Sequence, residues 1–375
     1  MRKISNNDVM KGDNMEKISI FPALYSNREI VYYKHLLCKY TFVSAITAAA
    51  PTPEIERVYH NCPNIVLTDD FEDGIKESDV ILFLNGLSVE SVALYSEYIT
   101  IALQQQKKIL LTRDLQALLQ KYELDIPDAE ILSENIPPLL IDDLAFREGY
   151  LKRIEVPIIA VMGLGDYCGK FSCELALKDY FKQYNLLQYG SKEIGALFGF
   201  SELPEFIYQQ DIPLTDRILK LNHFLYHQCV RENPDLLIIG FPEAIIPNNR
   251  KILNNFGEFS FIVSQAVLNI DIGIMCVYYN ESFTAEYLQE YRNCCKYKLN
   301  CAADYFNIAN TAILYDEISN ESKLQYMFFS KDKVNENFPK FDSEDLCVFG
   351  IESDVNTQVM LDKIRGELTS NLNVF

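Results

Sequence analysis

Gly163-Leu-Gly-Asp-Tyr-Cys-Gly169-Lys170 is the stretch that decides how this chain is read. An apolar run, Val156-Pro-Ile-Ile-Ala-Val-Met162, leads into it, and Phe171-Ser-Cys-Glu-Leu-Ala-Leu-Lys-Asp-Tyr-Phe-Lys-Gln-Tyr184 follows with the pattern of a helix. A strand, a glycine-rich loop closing on Gly-Lys and a helix are the context in which a loop cradles phosphate. Successive N–H groups turn toward the anion, the helix start adds its dipole, and the lysine adds a full charge. On this reading Gly163, Gly165, Gly169 and Lys170 hold phosphate, with ATP or GTP as the expected ligand.

The loop departs from an active P-loop in two ways. Five residues, Leu164 to Cys168, separate Gly163 from Gly169, where the usual spacing is about four. Phe171 stands where a Ser or Thr hydroxyl would hold Mg²⁺. Ser172 follows, but it points about 100° further round the helix and could only assist from there. The partner acid is displaced as well: the expected strand Leu236-Leu-Ile-Ile-Gly240 ends on glycine, and the nearest carboxylate is Glu243, after Phe241-Pro242. Glu243 is placed at a strand C-terminus, where ligands of parallel sheets bind, and is the candidate to act in catalysis by holding a cation or water. Mg²⁺ is thus an expected companion of the nucleotide, with no dedicated metal site assigned. Three readings stay open: an intact nucleotide site with unusual metal geometry, a relic loop that keeps the fold and binds an anion, and glycine punctuation with no ligand.

The composition narrows the class. A chain of 375 residues, 49% apolar and 23% charged, has the make-up of a globular protein with more than one core. The net charge of −19 argues against nucleic acid and against an anionic membrane surface as partners. No apolar run reaches membrane-span length, and the polar start Met1-Arg-Lys-Ile-Ser is not that of a signal peptide. The ten cysteines are therefore expected to be reduced and the protein cytoplasmic. Residues 1–14 read as a disordered leader, with Met15 as a second candidate start.

Short apolar runs alternate with amphipathic stretches along the chain. Strands are expected at 18–22, 41–47, 64–68, 80–85 and 108–112, with helices over 28–40 and 88–106, the latter capped by Ser88. Strands apolar throughout, between helices, imply parallel sheets covered on both faces. The fold class is α/β: two doubly wound, mostly parallel-sheet domains, the first Rossmann-like (15–114), the second P-loop NTPase-like (156–322). A bridging segment (115–155), with Pro127, Pro137, Pro138 and Asp142-Asp143, joins them, and a small α+β extension (323–375) follows. The first domain has Phe21-Pro-Ala-Leu-Tyr-Ser26 where a dinucleotide fingerprint would stand, so no dinucleotide site is expected there, although the loop ends Asp69-Asp70 and Asn85-Gly86 could meet a ligand. In the second, a helix over 214–232 precedes the 235–239 strand, and strands at 270–279, 308–315, 324–329 and 347–351 accompany helices over 284–297 and 356–368.

Other constellations have plainer readings. His223 and His227 share a helix face at a spacing compatible with zinc, but no third ligand is evident and packing is the default. Cys294, Cys295 and Cys301 lack CxxC spacing. Cys168, beside Lys170 at a helix start, is placed for a lowered thiol pKa, against the simpler role of a small residue filling the loop. Gly190-Ser-Lys-Glu-Ile-Gly195 is an αβ connection or a second ligand-facing turn.

The loop, the Gly190–Gly195 stretch and the strand end Pro234-Asp-Leu-Leu-Ile-Ile-Gly-Phe-Pro-Glu243 are similar to a bacterial P-loop family that carries an N-terminal Rossmann-like domain. Phe21-Pro22, Tyr33-Lys-His-Leu-Leu37, Asp69-Asp-Phe-Glu-Asp73 and Asp79-Val-Ile-Leu-Phe83 make the chain resemble accessory proteins of clostridial peptide-maturation systems over residues 16–315. That resemblance implies an accessory role in maturing a ribosomally made peptide, with a cysteine-containing precursor and its radical-SAM-type maturase as partners. The alternatives are a non-catalytic scaffold that docks a peptide, and an ATP-dependent ligase or kinase acting on a peptide or small acid.

Overall fold

The computed structural model describes residues 15–60, 62–87, 91–124, 126, 128–132, 149–314, 324–338 and 346–371. The leader 1–14, Ser88, and the Pro127, Pro137, Pro138 and Asp142-Asp143 positions lie outside the described residues. The chain divides into two compact units: the first holds the described residues up to 132 together with Glu193–Glu202, and the second holds those of 149–192 and from Leu203 on.

In the first unit, β1 (Glu16–Phe21), β2 (Tyr40–Ile46), β3 (Val66–Thr68), β4 (Val80–Phe83), β5 (Lys108–Leu111) and β6 (Ala129–Ile131) form a six-stranded sheet in the order β3-β2-β1-β4-β5-β6. Every pairing is parallel. This order is common among dinucleotide-binding folds, and the chain reverses direction of build between β1 and β4. All four residues of β4 are buried, as a strand covered on both faces requires. Phe21, Phe71, Phe83 and Tyr95 form an aromatic core, with Phe21 edge-on to the other three. The helix expected over 28–40 is instead a short helix, Glu29–Tyr32, followed by the 3₁₀ turn Lys34–Leu36. The run Ile30-Val-Tyr-Tyr33 explains the break, since β-branched and aromatic residues lose side-chain freedom in a helix. At the loop ends, Asp70 caps the helix Phe71–Ile75 through Asp73 N–H, and Thr112 accepts the amide of Asn85, so both are engaged locally.

In the second unit, β7 (Ile158–Gly163), β8 (Leu186–Tyr189), β9 (Leu236–Gly240), β10 (Ile272–Val277), β11 (Ala303–Ile308) and β14 (Cys347–Phe349) make another six-stranded parallel sheet, ordered β14-β11-β10-β7-β9-β8. β12 (Thr311–Leu314) and β13 (Gln325–Phe328) pair antiparallel. The strand expected over 308–315 coincides with β12, while β11, which shares only Ile308 with it, was not expected; Asn310 lies between the two. β7, β9 and β10 are buried at every residue. The helix over Leu214–Glu232 forms as expected and ends on Asn233 in the left-handed conformation. The α/β class with two parallel sheets is therefore observed. No helix among the described residues is long and apolar enough to cross a membrane.

Candidate functional site: the glycine loop after the central strand

β7 lies between β9 and β10, so its C-terminal end opens where the sheet order changes hand, the usual ligand position in such sheets. The chain leaves β7 at Gly163 and enters the helix Lys170–Phe181 through Gly169, its N-cap, at φ 84°. Gly165 (φ 150°) and Tyr167 (φ 56°) also take positive φ. Alternation of this kind turns neighbouring N–H groups to one side and makes an anion-binding concavity. Tyr167 absorbs the extra residue of the loop, at a cost of about 1–2 kcal/mol for a side chain in that region. Among the described residues, the amides of Asp166, Gly169 and Lys170 donate to no protein acceptor.

Glycine is demanded by contact as well as by angle. A Cβ on Gly163 would stand 2.5 Å from Cys168 Sγ and 2.8 Å from Lys170 Cγ, and one on Gly169 would stand 2.8 Å from Asn307 Nδ2. That amide donates to Gly169 O at 3.3 Å, while Asn307 Oδ1 accepts Ile351 N–H at 3.0 Å. Tyr278 pins the loop from the other side, its hydroxyl donating to Asp166 O at 2.7 Å.

Lys170 is buried. Its ammonium donates to Phe241 O at 3.2 Å and to Glu243 O, the two carbonyls that follow β9. The charge is therefore fixed by backbone, with no carboxylate in those contacts to cancel it. The four glycine and lysine positions expected to hold phosphate converge on one loop.

Two expectations need correction. Ser172 does not face the loop: it is buried and its hydroxyl donates to Glu352 Oε1 at 3.0 Å, while Glu352 Oε2 accepts the amide of Asn310. Phe171 is buried with Lys192 5.6 Å from its ring, so neither residue offers a metal-binding hydroxyl at the helix start. Cys168 does not carry a lowered pKa. Burial pushes its thiol up to about 11, outweighing the nearby Lys170 charge, and Sγ donates to Gly165 O. It fills the loop.

Glu243 stands at the rim, with positive φ (52°), and its carboxylate accepts from Asn255 Nδ2 at 3.1 Å. Desolvation raises its pKa and the charge of Asp166 adds to this, against the Asn255 hydrogen bond and Lys170. A cleft of about 660 Å³ opens here, lined by Gly165, Asp166, Tyr167, Glu243, Asn255 and Tyr326 among others. It adjoins the residue whose carbonyl holds the Lys170 ammonium.

The residue that sequence reasoning missed is Glu174. It lies one helical turn after Lys170 on the same face of the loop helix and is fully buried. Its Oε2 accepts Ser191 N–H at 3.0 Å. The Ser191 side chain also hydrogen-bonds to the carboxyl and, with its amide, favours the ionised form. Burial pushes the Glu174 carboxyl up to about 7, against the pull of Ser191, Lys170 and Lys192. A Cβ on Gly240 would lie 2.2 Å from Glu174 Oε1. The glycine at the strand end is therefore the space that the carboxyl of Glu174 fills. The Gly190–Gly195 stretch brings Ser191 and Lys192 to this same helix face.

The histidines do not converge on a metal. His223 is buried with Nε2 3.0 Å from Tyr150 O, and His227 lies 3.5 Å from the Lys152 ammonium. Cys295 and Cys301 are buried with thiol pKa values raised by desolvation. Among the described residues, no group of three or more His, Cys, Asp or Glu side chains is arranged to hold a metal. Mg²⁺ does not need such a cage: it keeps several waters and is held by phosphates with one or two carboxylates. Glu243, on the wall of the cleft, fits that limited demand; Glu174, enclosed and held by Ser191, does not.

No family model and no curated protein sequence matches the chain. Among solved structures, a protein of the DUF1611 family from Anabaena variabilis is similar at 12% identity, covering 78% of this chain and 88% of its own, with a TM-score of 0.48. A GTPase in apo form from Pyrococcus abyssi is similar at 10% identity over 56% of this chain and 97% of its own, TM-score 0.31. A LAO/AO transport system kinase is similar at 11% identity over 76% and 79%, TM-score 0.29. Likenesses at these scores and identities assign no function.

Proposed function

We propose that the second unit binds the phosphates of a nucleotide at the Gly163–Lys170 loop and that the adjoining cleft holds the molecule on which those phosphates act. The observation that carries this reading is the loop itself. Three residues of positive φ turn amides without protein acceptors toward one side, and a buried lysine held only through backbone carbonyls supplies the charge. A helix start so equipped favours an anion. ATP or GTP, with Mg²⁺, is the ligand class that suits a loop with the carboxylates of Asp166 and Glu243 on the adjoining cleft wall.

The cleft favours a ligase or kinase type of activity over a purely docking one. It shares Glu243 with the lysine's support, and its wall includes Asp166 from the loop. An acceptor seated there would lie next to the phosphates. Service to the maturation of a ribosomally made peptide, with its precursor and maturase as partners, is the setting that the sequence resemblance supplies for such an activity.

Calorimetric titration of the full chain with ATP and with GTP, each with and without Mg²⁺, tests the reading. Wild type is expected to bind one of them and Lys170→Ala to lose that binding. Equal null heats from both proteins would leave a scaffold without a nucleotide.

A further inference from the structure

The cleft beside the loop has a lining that selects among the molecules it could hold. Asp166 and Tyr167 reach it from the loop, Glu243 from the turn after β9, and Tyr326 from β13. Asp166 is exposed, and among the described residues its carboxylate accepts no hydrogen bond and joins no ion pair; only its carbonyl is engaged, by Tyr278. Tyr167 sets its ring edge-on to that of Tyr326, with centroids 4.7 Å apart. Desolvation raises the pKa of the Tyr326 hydroxyl and of Glu243, and the Asp166 charge raises both further, so Asp166 stands within electrostatic reach of each. A carboxylate beside two aromatic rings draws a cation twice over, by its own charge and by the negative faces of the rings. Lys251 lines the cleft as well, and its single ammonium against two carboxylates leaves the wall net acidic.

We propose that the molecule seated in this cleft carries an alkylammonium group, held by the Asp166 carboxylate against the rings of Tyr167 and Tyr326. This rests on the phosphate-binding reading above and names the chemical class that the cleft brings to it. A carboxylate-bearing molecule of the same size would face the Asp166 and Glu243 charges instead, and like charges at short range reject it. A neutral alcohol would gain nothing from either. The net charge of −19 acts in the same sense from further away, since an acidic protein concentrates cations around it. Glu243 is the carboxylate left for Mg²⁺, so amine and nucleotide do not compete for one group.

The test uses probes of one length and different charge: cadaverine, pentanediol and glutarate, each titrated into the full chain at fixed ionic strength without Mg²⁺ and followed by ligand-observed NMR. Wild type is expected to bind cadaverine, to bind the diol more weakly and to leave glutarate unbound. Acetyl-lysine methylamide presents the same ammonium from a peptide: tighter binding than cadaverine supports the proposal with a lysine side chain as the source, weaker binding supports it with a free amine. Asp166→Asn is expected to weaken cadaverine about 5-fold, the upper value for a solvent-accessible ion pair. Tyr326→Leu, which keeps an apolar side chain, is expected to weaken it about 3-fold through the lost ring face. Glu290→Gln removes the same charge from an exposed helix position outside the cleft and is expected to change nothing. Glutarate bound as well as cadaverine, or a loss in Glu290→Gln equal to that in Asp166→Asn, overturns the proposal. Inorganic tripolyphosphate titrated into wild type reads the loop alone. Its binding without cadaverine binding sinks the amine and spares the phosphate reading, whereas cadaverine binding without it sinks the phosphate reading and leaves an amine site with no nucleotide beside it.

Discussion

Gly240→Ala is the smallest perturbation that tests the tight contact between β9 and the loop helix. The added methyl would meet Glu174 Oε1 at 2.2 Å, Glu174 Cδ at 2.6 Å and the backbone nitrogen of Ser191 at 2.8 Å. Two of those atoms belong to a side chain that is fully buried, and the third is backbone, so the strain cannot be relieved into solvent. Overpacking of this kind costs about 1–3 kcal/mol. Moving the carboxyl also breaks its 3.0 Å bond from Ser191 N–H, and a bond to a charged group is worth about 1.5–3 kcal/mol. The sum is about 2.5–6 kcal/mol, or about 5–24 °C in the melting temperature of a domain of this size. Removing the obstacle should restore much of it. In Glu174→Ala/Gly240→Ala the new methyl enters the space that the carboxyl has left, so the double variant should be more stable than the sum of the singles by about 2 kcal/mol. Scanning calorimetry on the four proteins of the cycle measures this. A Gly240→Ala protein as stable as wild type, or strict additivity in the cycle, would refute the contact and everything built on it.

Ser172→Ala should leave tripolyphosphate binding unchanged, with or without Mg²⁺, and cost about 1 kcal/mol of stability, because its hydroxyl serves Glu352 and not the loop. Cys168 should resist alkylation by iodoacetamide at pH 8 in the native protein, since its thiol is buried and pushed up to about 11, whereas exposed Cys38 should react readily; mass spectrometry of the labelled chain distinguishes them. Glu174 should make the second unit lose stability as pH rises. Its carboxyl titrates near 4.5 when unfolded and at about 7 when folded, so the folded state binds more protons between those values. Stability attributable to it is full below pH 4.5, falls across 4.5 to 7 and is level above, by about 3 kcal/mol in all. Denaturant melts at pH 5 and pH 7.5 should show Glu174→Gln missing this part of the slope, with Lys170, Lys192 and Ser191 as the groups that face the carboxyl.

The loop was legible because its signal is local. A strand, glycines at fixed intervals, a lysine and a helix are adjacent in the chain, and the residues Gly163, Gly165, Gly169 and Lys170 come together by continuity alone. Most strands of both sheets were legible for the same reason, being runs of apolar residues. Their order was not, since the pairing of β1 with β4 or of β7 with β9 leaves no mark on either strand's own sequence. β6, β8 and β11 escaped, because Glu130, Gln188, Asp304 and Asn307 interrupt their apolar runs. The turn of Ser172 away from the loop was legible from helix geometry, but its partner Glu352, far along the chain, was not.

Glu174 escaped for a more instructive reason. Sequence reading searched for an acid where an acid usually stands, at the end of β9, and found Gly240. A signal was nevertheless present: an acidic residue at four after Lys170 shares its helix face, on a helix whose first eight residues are all buried. A buried face that carries a lysine and a glutamate spaced by one turn is not a packing face, since charged residues are seldom fully buried without a partner. The glycine at 240 and the glutamate at 174 therefore form one feature, each explaining the other: the glycine leaves the room that the carboxyl fills, and the carboxyl is tolerated there because the amide and hydroxyl of Ser191 hold it and the Lys170 and Lys192 charges lie nearby.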